Sequence, residues 1–281
     1  GYSSAASDVY KRQPYKTSTP AGGIGDYADA PYNTETDYPA DNSRVVVMGL
    51  CPSAMTTADS HTTYSLPSRA GLTDVLVTPN GVTGSRKQPF GQALEFAHAA
   101  VRIVLKARRT DNTVGKLYVK NLKLTVPARL VCGGLKWDTG AKQYLAAPAA
   151  ADLVINHSGQ ILSTEDTQVA VFYLTPCSPA DLLTDLTGTG GTPGLTLTAD
   201  VAKDINFTTG ARNASFPILD GNLNFMDQFG SPATQLKGGE SYETTLKFDI
   251  DSFTLEGEEK EWEDGGKMTV PVVVPEPTPG P

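Results

Sequence analysis

Ser241-Tyr-Glu-Thr-Thr-Leu-Lys-Phe-Asp-Ile250 is the stretch that sets the fold class. Tyr242, Thr244, Leu246, Phe248 and Ile250 fall on one side of an extended chain, and Glu243, Thr245, Lys247, Asp249 and Asp251 fall on the other. Side chains alternate between the two faces of a strand. One apolar and one polar side at a period of two therefore describe a half-buried antiparallel strand.

Working outward, the same period recurs. Leu195-Thr196-Leu197-Thr198 alternates directly after the Gly/Pro-rich stretch 188–194. Val45-Val46-Val47-Met48 is a short apolar run closed by Gly49 and Pro52, which reads as a buried strand. Asp74 to Val77 reads as another, stopped by the turn signal Pro79-Asn80-Gly81. Val169 to Leu174 is apolar on both faces and reads as a central strand bounded by Pro176, while Leu153 to Ile155 is a weaker strand.

Gln92 to Arg109 supports two local readings. Leu94, Ala97, His98, Val101 and Leu105 keep helical spacing among good helix formers. Alternatively, Leu94, Phe96, His98 and Ala100 alternate, and then Val101, Ile103 and Leu105 do so in the opposite phase. Such a flip near Ala99-Ala100 occurs at a bulge or where a long strand changes partners. Residues 116–126 behave alike: Leu117 and Val119 share a face, and after Asn121 the apolar face becomes Leu122, Leu124 and Val126. Strands separated by turn signals, without βα alternation, predict an all-β fold of sandwiches. The boundary is expected at 177–190, giving an N-terminal sandwich over 44–178 and a C-terminal one over 179–281 with a Pro-rich tail.

Composition agrees. The chain has 281 residues, 27 glycines and 20 prolines, and only 19% charged side chains, a loop-rich and strand-leaning make-up. Its formal charge of −8 argues against nucleic-acid and anionic-membrane partners. No apolar run approaches the roughly 20 residues of a membrane helix. The three cysteines (Cys51, Cys132 and Cys177) exclude a disulfide-framework miniprotein and form no C-x-x-C pair.

The opening residues 1–13 are set aside from the fold. Gly1 reads as a tag-removal scar. Asp8 to Gln13 can be encoded by GATGTGTATAAGAGACAG, which resembles the end of a sequencing-library transposase adapter, as at the edge of a metagenomic fragment. Residues 14–43, rich in Pro, Gly, Tyr, Asp and Thr, read as an extended arm.

Several of these segments, taken in order, resemble the fimbrillin family, the subunits of type V pili on Gram-negative gut and oral anaerobes. They are Tyr38-Pro39-Ala40-Asp41 leading into VVVMGLCP, Leu72 to Leu76, and Leu94-Glu95-Phe96-Ala97-His98-Ala99. SYETTLKFDIDSF follows, then Trp262 and Asp264-Gly265. The chain departs from many members in a more compact stretch after His98-Ala99. The resemblance implies two β-sandwich domains of transthyretin-like topology, with Gln92 to Arg109 as a strand and Phe96, His98 and Trp262 in the motif core. It further implies export as a lipoprotein precursor to a cell-surface fimbrium, proteolytic removal of an N-terminal strand, and polymerisation by donor-strand exchange. Partners would be other pilus subunits and a host glycan or protein receptor.

No catalytic constellation is legible, and no cofactor or metal is expected. His61, His98 and His157 form no zinc-binding pair, and there is no G-x-S-x-G elbow or P-loop. His98 reads as a hydrogen-bonded core residue and the cysteines as small buried hydrophobes. Asp220-x-Asn222-x-Asn224 begins like a calcium loop, but Phe225 replaces the glycine and Ser231 the twelfth-position Glu. The acidic run Glu256 to Asp264 reads as a solvated hairpin tip. Tyr27, Tyr32 and Tyr38 serve equally as sugar platforms or packing anchors.

The C-terminus is the informative segment. Met268, Val270, Val272 and Val274 alternate with Thr269, Pro271, Val273 and Pro275. Alternate residues send their N–H groups to the same edge, so the prolines spoil one edge and leave the other intact. Burying four apolar side chains yields roughly 6–12 kcal/mol. Ordering the strand costs a similar roughly 7–14 kcal/mol, so the hydrogen-bond ladder decides. The segment is either an edge strand protected from aggregation or a donor strand added to a neighbour. The sequence thus predicts a non-enzymatic pilus subunit. The rival expectation is a non-polymerising surface lipoprotein with a glycan-binding sandwich.

Overall fold

The computed structural model describes residues 39, 41–52, 55–58, 62–66, 68–79, 81–88, 95–109, 118–161, 164–183, 193–217, 231, 233–248, 253–261, 264–265 and 268–272. The chain is all-β. The first strands are β1 (Val45–Val47), β2 (Leu50–Cys51), β3 (Thr56–Ala58), β4 (Thr63–Ser65), β5 (Leu76–Val77), β6 (Val82–Gly84) and β7 (Ala97–His98). Longer ones follow: β8 (Val101–Arg109), β9 (Tyr118–Val126), β10 (Cys132–Asp138), β11 (Gln143–Pro148), β12 (Leu153–Ile161) and β13 (Thr167–Leu174). After a 3₁₀ turn at Pro179–Leu182 come β14 (Thr196–Ala202), β15 (Arg212–Pro217), β16 (Glu240–Phe248), β17 (Phe253–Glu261), β18 (Asp264–Gly265) and β19 (Met268–Val272). Among the described residues no helix is long and apolar enough to cross a membrane.

Two compact units result. One gathers the described residues up to Ser68 with Val75–Ala99 and Gly134–Ala146; the other gathers Arg69–Asp74, Ala100–Gly133 and the described residues from Ala147 on. This differs from the expected division into 44–178 and 179–281. β9 pairs with β12 on one side and β14 on the other, and β8 pairs with β16, so strands from both sides of residue 178 share sheets. The glycine-rich stretch near 188–194 joins strands of one sandwich. Its flanks are tied by Arg129, whose guanidinium donates to the carbonyls of Asp181 (3.0 Å) and Pro193 (3.1 Å), and by the Leu195 N–H on the Leu182 carbonyl at 2.9 Å.

The smaller unit holds three short sheets, β1-β6, β11-β10-β4-β3 and β2-β5-β7. Val45, Tyr64, Leu66, Val75, Val77, Leu135 and Tyr144 are buried in it. Tyr144 meets Tyr64 and Trp137 edge-on, with ring centroids 5.6 and 5.1 Å apart. Val46 corrects the expectation of a fully buried run: it is 44% exposed, because β1 pairs with β6 alone and a two-stranded ribbon covers one face only. Within β10, Gly134 has φ +145°, and a Cβ there would lie 1.9 Å from the Tyr64 carbonyl oxygen. That approach to β4 admits only glycine.

The larger unit is a sandwich. One sheet runs β13-β8-β16-β17 with β18 and β19 beyond, the other β12-β9-β14-β15. Their facing sides supply one core that includes Ile103 and Leu105 of β8, Leu122 and Leu124 of β9, Phe172 of β13, Val201 of β14, and Tyr242 and Leu246 of β16. Both phase flips read from the sequence are structural. At Ala99-Ala100 the chain leaves the β5-β7 pairing and enters the large sheet. At Asn121, whose φ is +53°, the registers of β9 with both neighbours shift, a bulge that turns the apolar face over.

Two strands differ from their sequence reading. Val169–Leu174 lies at the end of its sheet rather than at its centre. Its C-terminal end is instead flanked along the free edge by the segment 69–74, where the Tyr173 N–H donates to the Gly71 carbonyl at 2.8 Å. β16 is central rather than half-buried, antiparallel to β17 but parallel to β8. Side chains across the outward face cover it: Arg102 donates to the Ser241 hydroxyl at 3.2 Å, Lys106 pairs with Glu243, and the Thr245 hydroxyl donates to Asp166 at 3.1 Å.

The β14–β15 connection is pinned by Asp204. Its carboxylate accepts the N–H groups of Thr209, Asn206 and Thr208 and the Thr208 hydroxyl, the last three at about 3 Å. These bonds, led by that from Thr209, hold its carboxyl below the usual carboxylate range.

Two outcomes are expected. Gly134→Ala should destabilise the protein by about 3 kcal/mol or more in urea unfolding, whereas Gly140→Ala, facing only the Asp138 carboxylate, should change little. Because the folded-state pKa of Asp204 is depressed, its stabilising bonds persist above the unfolded carboxylate value and are lost as pH falls through the folded one. Amide exchange at Thr208 and Thr209 should therefore accelerate in acid, and Asp204→Asn should flatten that dependence.

Candidate functional site

Strand pairing depends on backbone N–H and C=O groups left unpaired at sheet edges. The edges of the large sheet are therefore where this chain can engage another. β17 is paired along one side by β16. Along the other, β18 pairs Lys260 with Gly265 and Glu261 with Asp264, and β19 pairs Gly257 with Met268, Leu255 with Val270 and Phe253 with Val272. The candidate strand thus lies on its own chain as the last strand of the sheet.

Its usable edge follows from its composition. Pro271 stands opposite Thr254 and has no N–H. The ladder to β17 therefore draws on the N–H groups of Met268, Val270 and Val272, which share one edge. The edge turned away from β17 lacks a donor at Pro271, so a further strand would find an interrupted ladder there. Val274, the fourth residue of the candidate strand, lies outside the described residues, as do Trp262, Tyr27, Tyr32, Tyr38 and Asp220 to Asn224. Of the acidic run, Glu256 to Glu261 lie along β17, and Glu261 pairs with Asp264 where β17 turns back into β18. The register sets Glu258 opposite Glu243 and Glu261 opposite Glu240.

The opposite edge, β13, is closed differently. Its C-terminal end is covered by the Gly71 carbonyl, a bridge between Val131 and Leu174, and the Thr175 N–H on the Leu130 carbonyl at 2.8 Å. Towards its start the register with β8 shifts between Gln168 and Ala170, a bulge that twists the edge. No sequence spacing marks Gly71 for this role, since its partners lie far along the chain.

The other motif residues belong to the smaller unit. β2, β5 and β7 form one three-stranded sheet, pairing Cys51 with Leu76 and Leu76 with His98. His98 is half-buried within it. A Cβ on Gly49 would lie 2.3 Å from Phe96 Cζ, so the ring packs directly on the Gly49 backbone. The Gly49 N–H donates to the Thr78 hydroxyl at 2.8 Å, and the Thr78 N–H returns to the Gly49 carbonyl at 3.1 Å. Glycine followed by Leu-Cys-Pro thus anchors a junction of three distant segments.

Cys132 and Cys177 are buried, and Cys51 is partly buried. Burial, and secondarily the Asp181 carboxylate, push the Cys177 thiol up to about 12. That is the opposite of what a nucleophile requires.

No protein-family model matches the chain, and no curated protein matches it. Solved structures similar to it include a candidate cell adhesion protein from Bacteroides uniformis, at 13% identity and a TM-score of 0.45. There 80% of this chain and 75% of that chain are covered. A second, from Parabacteroides distasonis, has 12% identity and a TM-score of 0.43, covering 75% of this chain and 68% of that one. The tip fimbrial protein Mfa3 from Porphyromonas gingivalis, with C-terminal truncation, is similar at 9% identity and a TM-score of 0.28, with 72% and 63% covered.

At pH 8 the Cys177 thiolate fraction is on the order of 10⁻⁴. In the native protein, iodoacetamide labelling of Cys177, read by peptide mass spectrometry, should therefore be negligible and should rise to that of an ordinary thiol in urea.

Proposed function

We propose that this chain is a structural subunit of a bacterial cell-surface pilus, fimbrillin-like, joined to other subunits by strand complementation and supporting adhesion. The observation that carries this reading is the sheet β2-β5-β7. Parts of three segments that resemble the fimbrillin family meet there, Leu50-Cys51 of VVVMGLCP, Leu76 of the second and Ala97-His98 of the third, and Phe96 closes on Gly49. Segments far apart in sequence that converge on one small sheet form a structural unit, not a coincidence of composition. The transthyretin-like topology, export as a lipoprotein precursor, removal of an N-terminal strand and location on the cell surface belong to the same reading, as does the absence of enzymatic activity.

In this reading residues 268–274 are the donor. A strand with one intact edge pairs fully on one side. It rests on β17 within its own chain and would transfer to the groove of a neighbour, where main-chain bonds give affinity and alternate apolar side chains give register. The pairing of β19 with β17 in the same chain favours a second reading, a surface lipoprotein that does not polymerise and uses its sandwich to bind glycans.

Sedimentation and thermal melting, with and without a peptide spanning residues 267–281, separate the two. Donor-strand assembly predicts concentration-dependent oligomers, or a melting temperature raised by the peptide, and Val270→Asp should abolish either effect. A monomer indifferent to the peptide overturns the donor role of this segment and leaves the non-polymerising reading.

A further inference from the structure

The outward face of the four-stranded sheet carries an arrangement that neither packing nor strand exchange uses. In the row Gln160, Lys120, Asp200, Asn213, each residue stands opposite the next on adjoining strands β12, β9, β14 and β15. The bulge places Asn121 on the same face as Lys120, and its amide nitrogen donates to one Asp200 oxygen at 2.7 Å. The Asn213 amide donates to the other at 3.0 Å. These two amides, with Asn213 the stronger influence, hold the Asp200 carboxyl below its usual range.

Beside this cluster stands an apolar step. Lys120 Nζ lies 4.0 Å from the ring centroid of Phe207, in the β14–β15 connection pinned by Asp204. Phe207 is half-buried and Ile205 is 50% exposed. Asn121 and Phe207 both hold positive φ, +53° and +57°. For an aromatic residue that conformation is an outlier. Two such residues flanking one lysine are strain held in place by the surroundings, as at ligand-binding surfaces.

We propose that this face binds a neutral saccharide, with Asp200, Asn121 and Asn213 receiving its hydroxyls beside the Lys120–Phe207 pair. Sugar hydroxyls donate and accept together, so their site needs carboxylate, amide carbonyl and N–H groups side by side. Each asparagine spends one N–H on Asp200 and keeps its carbonyl and second N–H for a ligand. The next row, Asn156, Lys123, Thr198 and Ser215, extends the same mixture. One carboxylate among two lysines in these rows gives neither the basic cluster a phosphate or nucleic acid requires nor a cage for a cation. The inference deepens the adhesive part of the reading above. It is read by a separate experiment, so loss of polymerisation leaves it standing, and the reverse also holds.

The test is ¹H–¹⁵N spectroscopy of the full chain titrated with methyl β-galactoside, methyl α-mannoside, methyl β-N-acetylglucosaminide and lactose. The expected result is a saturable shift of the Asn121 and Asn213 side-chain amides with at least one of them. Affinity should fall roughly tenfold or more in Asp200→Asn, as for a lost hydrogen bond to a charged group. Asn213→Ala, at an exposed position, should weaken binding while the rest of the spectrum is unchanged, which covers the case in which Asp200→Asn fails to fold. No saturable shift with any of the four, or shifts that survive both folded variants, overturns the proposal.

Discussion

The parallel ladder between β8 and β16, from Ser241 opposite Arg102 to Phe248 opposite Arg109, is the constraint on which the larger unit depends. Parallel neighbours cannot be joined by a tight turn and need a long crossover. Here the crossover includes the opposite sheet of the sandwich: β9, β12, β14 and β15 all lie between β8 and β16 in the chain. The chain that joins these two neighbours therefore also builds the facing sheet, and the core lies between them. Tyr242 and Phe248, fully buried on β16, reach this core only once the ladder sets their register.

A central parallel strand has to be covered on both faces. The apolar side of β16 meets the core, while its outward side carries Ser241, Glu243 and Thr245. Arg102, Lys106 and Asp166 answer them with charged or hydroxyl partners, so polar groups are buried in pairs. The same polar layer explains why a sequence with strict alternation comes to occupy the middle of a sheet. Further out, the sheet ends in β19 on one side and in a bulged, partly capped β13 on the other. Each device limits uncontrolled strand addition.

The polar face of the four-stranded sheet depends on the same geometry from the other side. A bulge at Asn121 lets two successive residues of β9 stand outward, and the antiparallel registers with β14 and β15 bring Asp200 and Asn213 to them. The strands thus fix two amides, one from β9 and one from β15, around a single carboxylate on β14.

The sequence by itself determined the period of β8, β9 and β16, the phase flips at Ala99-Ala100 and at Asn121, and the one-sided edge of residues 268–272. Each of these follows from side-chain alternation or from the missing N–H of proline, and both are local properties of the chain. Which strand stands beside which was decided only by the tertiary structure. Val169–Leu174 is apolar on both faces, the pattern of a central strand, so its place at the sheet's end was not legible. The glycine-rich stretch near 188–194 has a linker's composition, and only strand pairing and the Arg129 bonds to Asp181 and Pro193 show that its flanks belong to one sandwich. The Asn121, Asp200 and Asn213 cluster was equally hidden, for no spacing rule relates residues that meet only through register. Periodicity reports the environment of a face; partner choice is a long-range packing decision, made when the core closes.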